Sequence, residues 1–190
     1  MAKSDVRVGA PITGTGGVLV GPTGTALPTD SSTAPDSALA KAGYVGEDGV
    51  TMATERGTEK IRAWGGDTVR VVQTEHDVTF SWQFLETTAV VLGEVYGVDN
   101  VETTPATATE GTLTAIKVNS DVLPERVYVF EMKDGDARIR VVVPNLQITE
   151  TGDLTYVHSD VIRYEVTAEA LPDENGNKVY IYSDDGVTTG

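Results

Sequence analysis

Between Asp77 and Glu86 the side chains alternate, with Val78, Phe80, Trp82 and Phe84 on one parity and Thr79, Ser81, Gln83 and Leu85 on the other. Successive side chains of a strand point to opposite faces, so this segment is satisfied as a strand that drives three aromatic rings into a core and turns a mostly polar but uncharged face outward. The rest of the chain agrees. It holds 27 Val and 26 Thr among 190 residues, β-branched side chains that suit a pleated, half-buried surface. The length is that of one domain with a core of its own. With no cysteine, disulfides, thiolate nucleophiles and Cys-type metal sites are excluded, and burial and pairing must hold the fold.

The same reading extends in both directions. Gly43 to Gly46, Val50 to Glu55, Lys60 to Trp64 and Thr68 to Gln73 read as strands divided by turn-forming Glu47-Asp48-Gly49, Arg56-Gly57 and Gly65-Gly66-Asp67. One helix is predicted, capped by Thr87 or Thr88, carrying Val91, Leu92, Val95 and Tyr96 as an apolar stripe and ending at Gly97 in a left-handed cap. Asp99 to Glu110 reads as a loop around Pro105. Beyond it, Leu113 to Val118 is a strand, Arg126 to Met132 and Ala137 to Val143 form a hairpin across Asp134-Gly135, and Leu146 to Thr149, Leu154 to His158, Val161 to Leu171 and Lys178 to Tyr182 complete the set. The fold class is mainly β: a β-sandwich with one flanking helix near 87–96 and an extended N-terminal arm.

That arm is the segment 1–42, preceding a β domain over 43–190. Residues 1 to 40 hold 6 Gly, 4 Pro, 6 Thr and 4 Ser, a composition that orders only against something else. Its islands Val6-Arg7-Val8 and Val18-Leu19-Val20 suit short added strands, and the bland alternative is a terminus with no role.

Acidic residues number 29 against 14 basic, a formal net charge of −15. Tight nucleic-acid binding draws on cations that neutralise phosphate, so this chain should be repelled by DNA. No apolar run reaches the roughly 18 to 20 residues that span a bilayer, and the start lacks an apolar signal core, so no membrane association is expected.

No site chemistry is legible either. His76 and His158 lack metal-ligand spacing. Gly14-Thr15-Gly16-Gly17 is followed by Leu19 where a dinucleotide loop needs glycine. Asp173-Glu174-Asn175-Gly176-Asn177 starts like a calcium loop, but Lys178 stands at the sharp-turn position. No Gly-x-Ser-x-Gly elbow occurs. The expectation is no catalysis, no cofactor and no metal, and a structural role in which open sheet edges pair with copies of the same chain.

Several stretches carry a resemblance: Gly43-Tyr44-Val45-Gly46-Glu47-Asp48-Gly49-Val50, then Thr58-Glu59-Lys60-Ile61-Arg62-Ala63-Trp64-Gly65-Gly66-Asp67 leading into Thr74-Glu75-His76-Asp77-Val78-Thr79-Phe80, the helix after Glu86, and Val143-Pro144-Asn145 through Tyr164-Glu165-Val166-Thr167-Ala168. Over about two thirds of its length the chain resembles the major tail tube subunits of long-tailed, non-contractile bacteriophages, particularly those of actinobacteria. The resemblance implies six copies closing into a ring by joining sheets, and rings stacking into a hollow tube that conducts genomic double-stranded DNA without binding it specifically. It further implies a tape-measure protein, a tail terminator and distal tail proteins as partners, and a place in the virion tail after assembly in the host cytoplasm.

Carboxylates in such a channel would repel phosphate and ease its passage. Glu55, Glu59, Asp67, Glu75, Asp77, Glu165 and Glu169, on or beside amphipathic strands, are the lumen-lining candidates; solvated outer-face charges are the alternative for each. Val18, Leu19 and Val20 of the arm, with Tyr44, Glu47 and Asp48, are the candidates for contacts between rings, and loss of residues 1–40 is expected to leave a folded but non-polymerising monomer. The competing reading is a virion or surface β-sandwich that binds a carbohydrate or receptor through exposed aromatics, for which Tyr180, Tyr182 and Trp64 are available.

Overall fold

The strand at 77–84 lies where its alternation demands. The computed structural model describes residues 6–188, and among them Val78, Phe80, Trp82 and Phe84 are each less than 5% exposed. In chain order the strands are β1 (Ala10–Pro11), β2 (Val18–Pro22), β3 (Ala40–Lys41), β4 (Thr51–Glu55), β5 (Thr58–Arg62), β6 (Thr68–Gln73) and β7 (Asp77–Phe84). Helix α1 (Ala89–Tyr96) follows. Then come β8 (Val101–Thr104), β9 (Leu113–Ile116), β10 (Arg126–Asp134), β11 (Ala137–Thr151), β12 (Tyr164–Leu171) and β13 (Tyr180–Asp184).

Nine strands form one antiparallel sheet in the order β3-β2-β10-β11-β12-β7-β4, with β1 on β10 and β13 on β11; β5-β6 and β8-β9 are separate two-stranded ribbons. The expected sandwich is built by folding this sheet over on itself. β7 and β10 share no hydrogen bonds, yet Phe80 stacks on Phe130 at 5.3 Å, and Trp82 packs edge-on against Tyr128 at 5.4 Å and Phe130 at 5.6 Å. Rings from two distant parts of the sheet therefore face each other as the two layers of a core.

The fold-over runs through β11. Its first half pairs with β13 over Arg138–Val142 and its second with β12 over Asn145–Thr151, while β10 occupies the opposite edge. The changeover falls at Pro144. There the register with β10 slips, Tyr128 facing Val143 but Arg126 facing Leu146, so two residues of β11 oppose one of β10. A proline cannot donate to a ladder and is accommodated in such a bulge. Two strands were expected here, 137–143 and 146–149; the bulge lets them run as one.

Helix α1 closes the core. Thr88 caps it, its hydroxyl accepting from the Val91 N–H at 3.3 Å. Val91, Leu92 and Val95 are buried as the stripe required. Glu94 is buried beside them, accepting from Tyr128 Oη at 2.7 Å and from Arg126 Nε at 3.0 Å, which ties the helix to β10. Burial pushes its carboxyl above the ordinary range, against the opposing pull of these two donors. Gly97 has φ 95° with ψ 133°, a positive φ as expected for glycine but not the left-handed helical cap.

Two segments read as strands are not strands, since Val6–Val8 lie outside any strand and residues 43–46 make only an isolated bridge of Val45 to Phe84, and three further expectations are corrected. Residues 101–104, read as loop, pair with 113–116, because the Thr-rich segment finds a strand partner across the insertion. Residues 154–158 form no strand, and β12 begins at Tyr164 rather than Val161. The third concerns the N-terminal segment. Val18, Leu19 and Val20 are 1%, 3% and 1% exposed, paired with Phe130, Val129 and Tyr128 of β10. They are core residues whose side chains are not available to another molecule.

The stretch between β2 and β3 is also fastened down. Leu27 and Leu39 cover a second apolar cluster of Leu19, Val127, Val129 and Val142 on the far face of β10. Alongside, Arg140 is 3% exposed and donates to Glu131 Oε1 through Nε at 3.0 Å and Nη2 at 2.5 Å, and to the Asp30 carbonyl through Nη1 at 2.7 Å. Hydrogen bonds from Thr33 and Ser32 hold the Asp30 carboxyl down from 3.8 to about 2.

Two outcomes follow from this anchoring. A chain lacking residues 1–40 loses β2 and is expected not to fold, seen as loss of cooperative melting in circular dichroism. The folded pKa of Asp30 lies below its ordinary value, so its contribution to stability is present above 3.8 and is lost as pH falls through about 2. Asp30→Asn should flatten the acid side of the stability profile in that interval, measured by urea unfolding at stepped pH.

Candidate assembly surfaces

Because the even-numbered residues of β7 and β12 point into the core, their odd-numbered residues share the outer face. In register across β4, β7 and β12 lie Thr51, Ser81 and Thr167; Ala53, Thr79 and Glu169; Gln83 and Glu165; and Glu55 opposite Asp77. Four of the seven candidate lumen carboxylates, Glu55, Asp77, Glu165 and Glu169, thus come together on one sheet face. No Lys or Arg stands on that face of the three strands. Glu55 and Asp77 are like charges directly opposite each other, an arrangement that costs about 0.2–1 kcal/mol. Lys178 offsets part of it from the side, its Nζ lying 3.5 Å from Asp77 Oδ1 and donating to the His76 carbonyl at 2.6 Å.

The other three lie elsewhere. Glu59 and Asp67 belong to the β5-β6 hairpin and its tip, and Glu75 to the return into β7, where its carbonyl accepts from Gly57 N–H at 3.1 Å. This hairpin is the feature that reading the sequence as successive sheet strands missed. All residues of β5 and β6 are exposed, including Ile61, Val69, Val71 and Val72, and Trp64 at the tip is fully exposed. The two strands pair only with each other. A signal was present: in Glu59-Lys60-Ile61-Arg62 charges fall on both parities, so neither face of the ribbon suits burial.

Tyr44, Glu47 and Asp48 sit together on the segment between β3 and β4. Tyr44 is 71% exposed, with its N–H on Glu86 Oε1 at 3.0 Å, and the turn closes through Gly49 N–H to the Gly46 carbonyl at 2.9 Å. Asp48 borders the acidic face, in a depression shared with Thr51, Ser81, Gln83 and Glu165. Tyr44 and Glu47 line a groove of about 280 Å³ on the other side, with Pro11, Val45, Val50 and Met132. Among the described residues β4 has an unpaired edge, since β7 alone pairs with it.

The aromatics of the competing carbohydrate reading do not form one platform. Tyr180 and Tyr182 stack on each other at 6.4 Å and pack on the second apolar cluster, whereas Trp64 stands on the hairpin tip. Among the described residues no group of three or more His, Cys, Asp or Glu is placed to hold a metal, and no helix is long and apolar enough to cross a membrane.

An open strand edge, a bare hairpin and an acidic sheet face on an antiparallel β fold define a building-block subunit. Residues 1–189 match the model of the family described as phage tail tube protein, and the chain belongs to that family. Its role is structural rather than enzymatic, as a component of the virion tail, and tube proteins of this kind self-assemble. No curated protein is similar enough to match. Among solved structures, the chain is 12% identical to the tube-terminating cap of the anti-feeding prophage, with TM-score 0.41 over 97% of this chain and 100% of that one. It is 11% identical to a chain of the sheath-tube complex of the extracellular contractile injection system PVC in its extended state, with TM-score 0.42 over 97% and 99%. It is 10% identical to a chain of the sheath/tube terminator of that system, with TM-score 0.40 over 93% and 98%.

The hairpin contributes nothing to the core. Replacing residues 58–73 by a short Gly-Ser turn should leave the unfolding free energy within about 0.5 kcal/mol of the intact chain, as measured by urea titration.

Proposed function

We propose that copies of this chain close into rings, six to a ring by the family resemblance, and that the rings stack into a tube whose lumen is lined by the acidic face of β4, β7 and β12. The observation that carries this reading is the gathering of Glu55, Asp77, Glu165 and Glu169 on one sheet face whose three strands carry no Lys or Arg, Lys178 reaching Asp77 only from the side. A soluble domain has no stability reason to place Glu55 against Asp77. A conduit for DNA has a reason, because the duplex carries a charge about every 1.7 Å and a cationic wall would hold it.

Screening sets the range. At physiological salt the Debye length is about 8 Å, so wall carboxylates repel phosphate only close to the surface, keeping the duplex from adhering without opposing its entry. Ring closure uses the open edge of β4, which gains hydrogen-bond partners from a neighbour's sheet. Ring-on-ring contact is head-to-tail and propagates into a filament. A tape-measure protein then sets the length, terminator and distal tail proteins meet its ends, and assembly takes place in the host cytoplasm.

Electron microscopy of the concentrated chain tests assembly: hollow tubes are expected, and persistent monomers would refute it. Replacing Glu55, Glu165 and Glu169 by Lys tests the lumen. Tubes should still form, but DNA ejection from virions carrying the variant should slow severalfold, most at low salt; an unchanged ejection rate would remove the lumen assignment.

A further inference from the structure

The exposed tip of the β5-β6 hairpin and the groove beside Tyr44 both present apolar surface and carry opposite charge. Trp64 is fully exposed. The turn that displays it is tied by its own hydrogen bonds: Ala63 N–H to the Asp67 carbonyl at 2.8 Å, Gly66 N–H to the Ala63 carbonyl at 2.9 Å, and Arg62 Nη1 to the Gly66 carbonyl at 3.0 Å. A preorganised, solvent-facing indole is the residue type most enriched among energetic anchors of protein interfaces.

The hairpin is also electrostatically unlike the rest of the molecule. From Arg56 to Arg70 it carries Arg56, Lys60, Arg62 and Arg70 against Glu59 and Asp67, a net 4 − 2 = +2, which leaves −15 − 2 = −17 for the remainder. An arm of this charge is drawn toward the body of another copy.

On that body, the groove of about 280 Å³ is walled by Pro11, Tyr44, Val45, Val50 and Met132 and rimmed by Glu47. Its volume is on the order of one large side chain. Gly17, with φ 89°, brings the backbone close along one wall, where a Cβ would lie 2.8 Å from Pro11.

We propose that Trp64 of one copy seats in the Pro11–Tyr44–Met132 groove of a second copy, with Arg62 and its neighbouring cations facing Glu47. The inference rests on the tube reading and names the contact that joins successive copies. It assigns Tyr44 and Glu47 to the receiving surface, and the hairpin, rather than residues 18–20, to the inserting one.

The test compares wild type with Trp64→Ala. The variant should melt like wild type, because Trp64 touches no core residue, while the concentration needed for tube formation rises about 30-fold or more, the loss of a central aromatic anchor. A Trp64→Phe variant should recover part of it. Since the chain has no cysteine, mixing singly substituted Trp64→Cys and Tyr44→Cys proteins, one tagged, should give a disulfide-linked heterodimer under oxidation. Wild-type and W64A tubes forming at the same concentration, or no disulfide-linked heterodimer between the two singly substituted proteins, would overturn the contact and leave the tube reading intact. Failure of the wild type to form any tube would sink both.

Discussion

The contact between the rings of β7 and β10 governs the rest of this structure. Phe80 on Phe130, and Trp82 against Tyr128 and Phe130, join strands that share no backbone hydrogen bond. Only a sheet that curls back on itself can bring them together, and the bulge at Pro144 marks where β11 changes partners to allow it. Burying these rings recovers roughly 1.5–3 kcal/mol each. That outweighs the cost, about 1–3 kcal/mol, of leaving the buried Trp82 Nε1 without an acceptor. With the even parity of β7 committed inward, the odd parity has no choice but to face out, and the acidic face is a consequence of the core.

Charges in this protein fall into two physical kinds. Inside, each buried ion has a partner: Glu131 with Arg140, and Glu94 with Arg126 and the Tyr128 hydroxyl. These pairs fasten the 23–38 segment and the helix to β10, and removal of one member of such a pair costs about 3–5 kcal/mol. Outside, on β4, β7 and β12, carboxylates stand without cations on their own face and in one place directly opposed. The first kind serves the monomer. The second does nothing to hold the monomer's core together, and fits the lumen proposed above.

The hairpin and the groove show the same division. β5 and β6 expose apolar side chains on a ribbon that packs against no other sheet, while Pro11, Tyr44 and Met132 frame a recess that the described chain does not fill. Each is costly in a solitary molecule and sensible in a subunit. Family membership supplies the context, since tail tube proteins act as assemblies.

Much of this was legible in the residues. The alternation from Val78 to Phe84, the Thr88 cap, the Gly97 stop and the Asp134-Gly135 turn each concern neighbours along the chain, where backbone geometry and side-chain parity suffice. The strand over 18–20 was also visible, but composition suggested an arm, because nothing local reveals that β10, over a hundred residues away, would bury it. The hairpin was read as sheet for the converse reason: its residues favour strands, and whether a strand has neighbours on its flanks is not a local property. The seven carboxylates looked equivalent. Register between β4, β7 and β12 selected four of them for one face and left Glu59, Asp67 and Glu75 on or beside the hairpin. The amino-acid order thus determined which segments are strands and which parity of each is apolar. Tertiary structure decided which strands meet, and so which charges share a surface, because pairing across large sequence separations depends on the whole core closing at once.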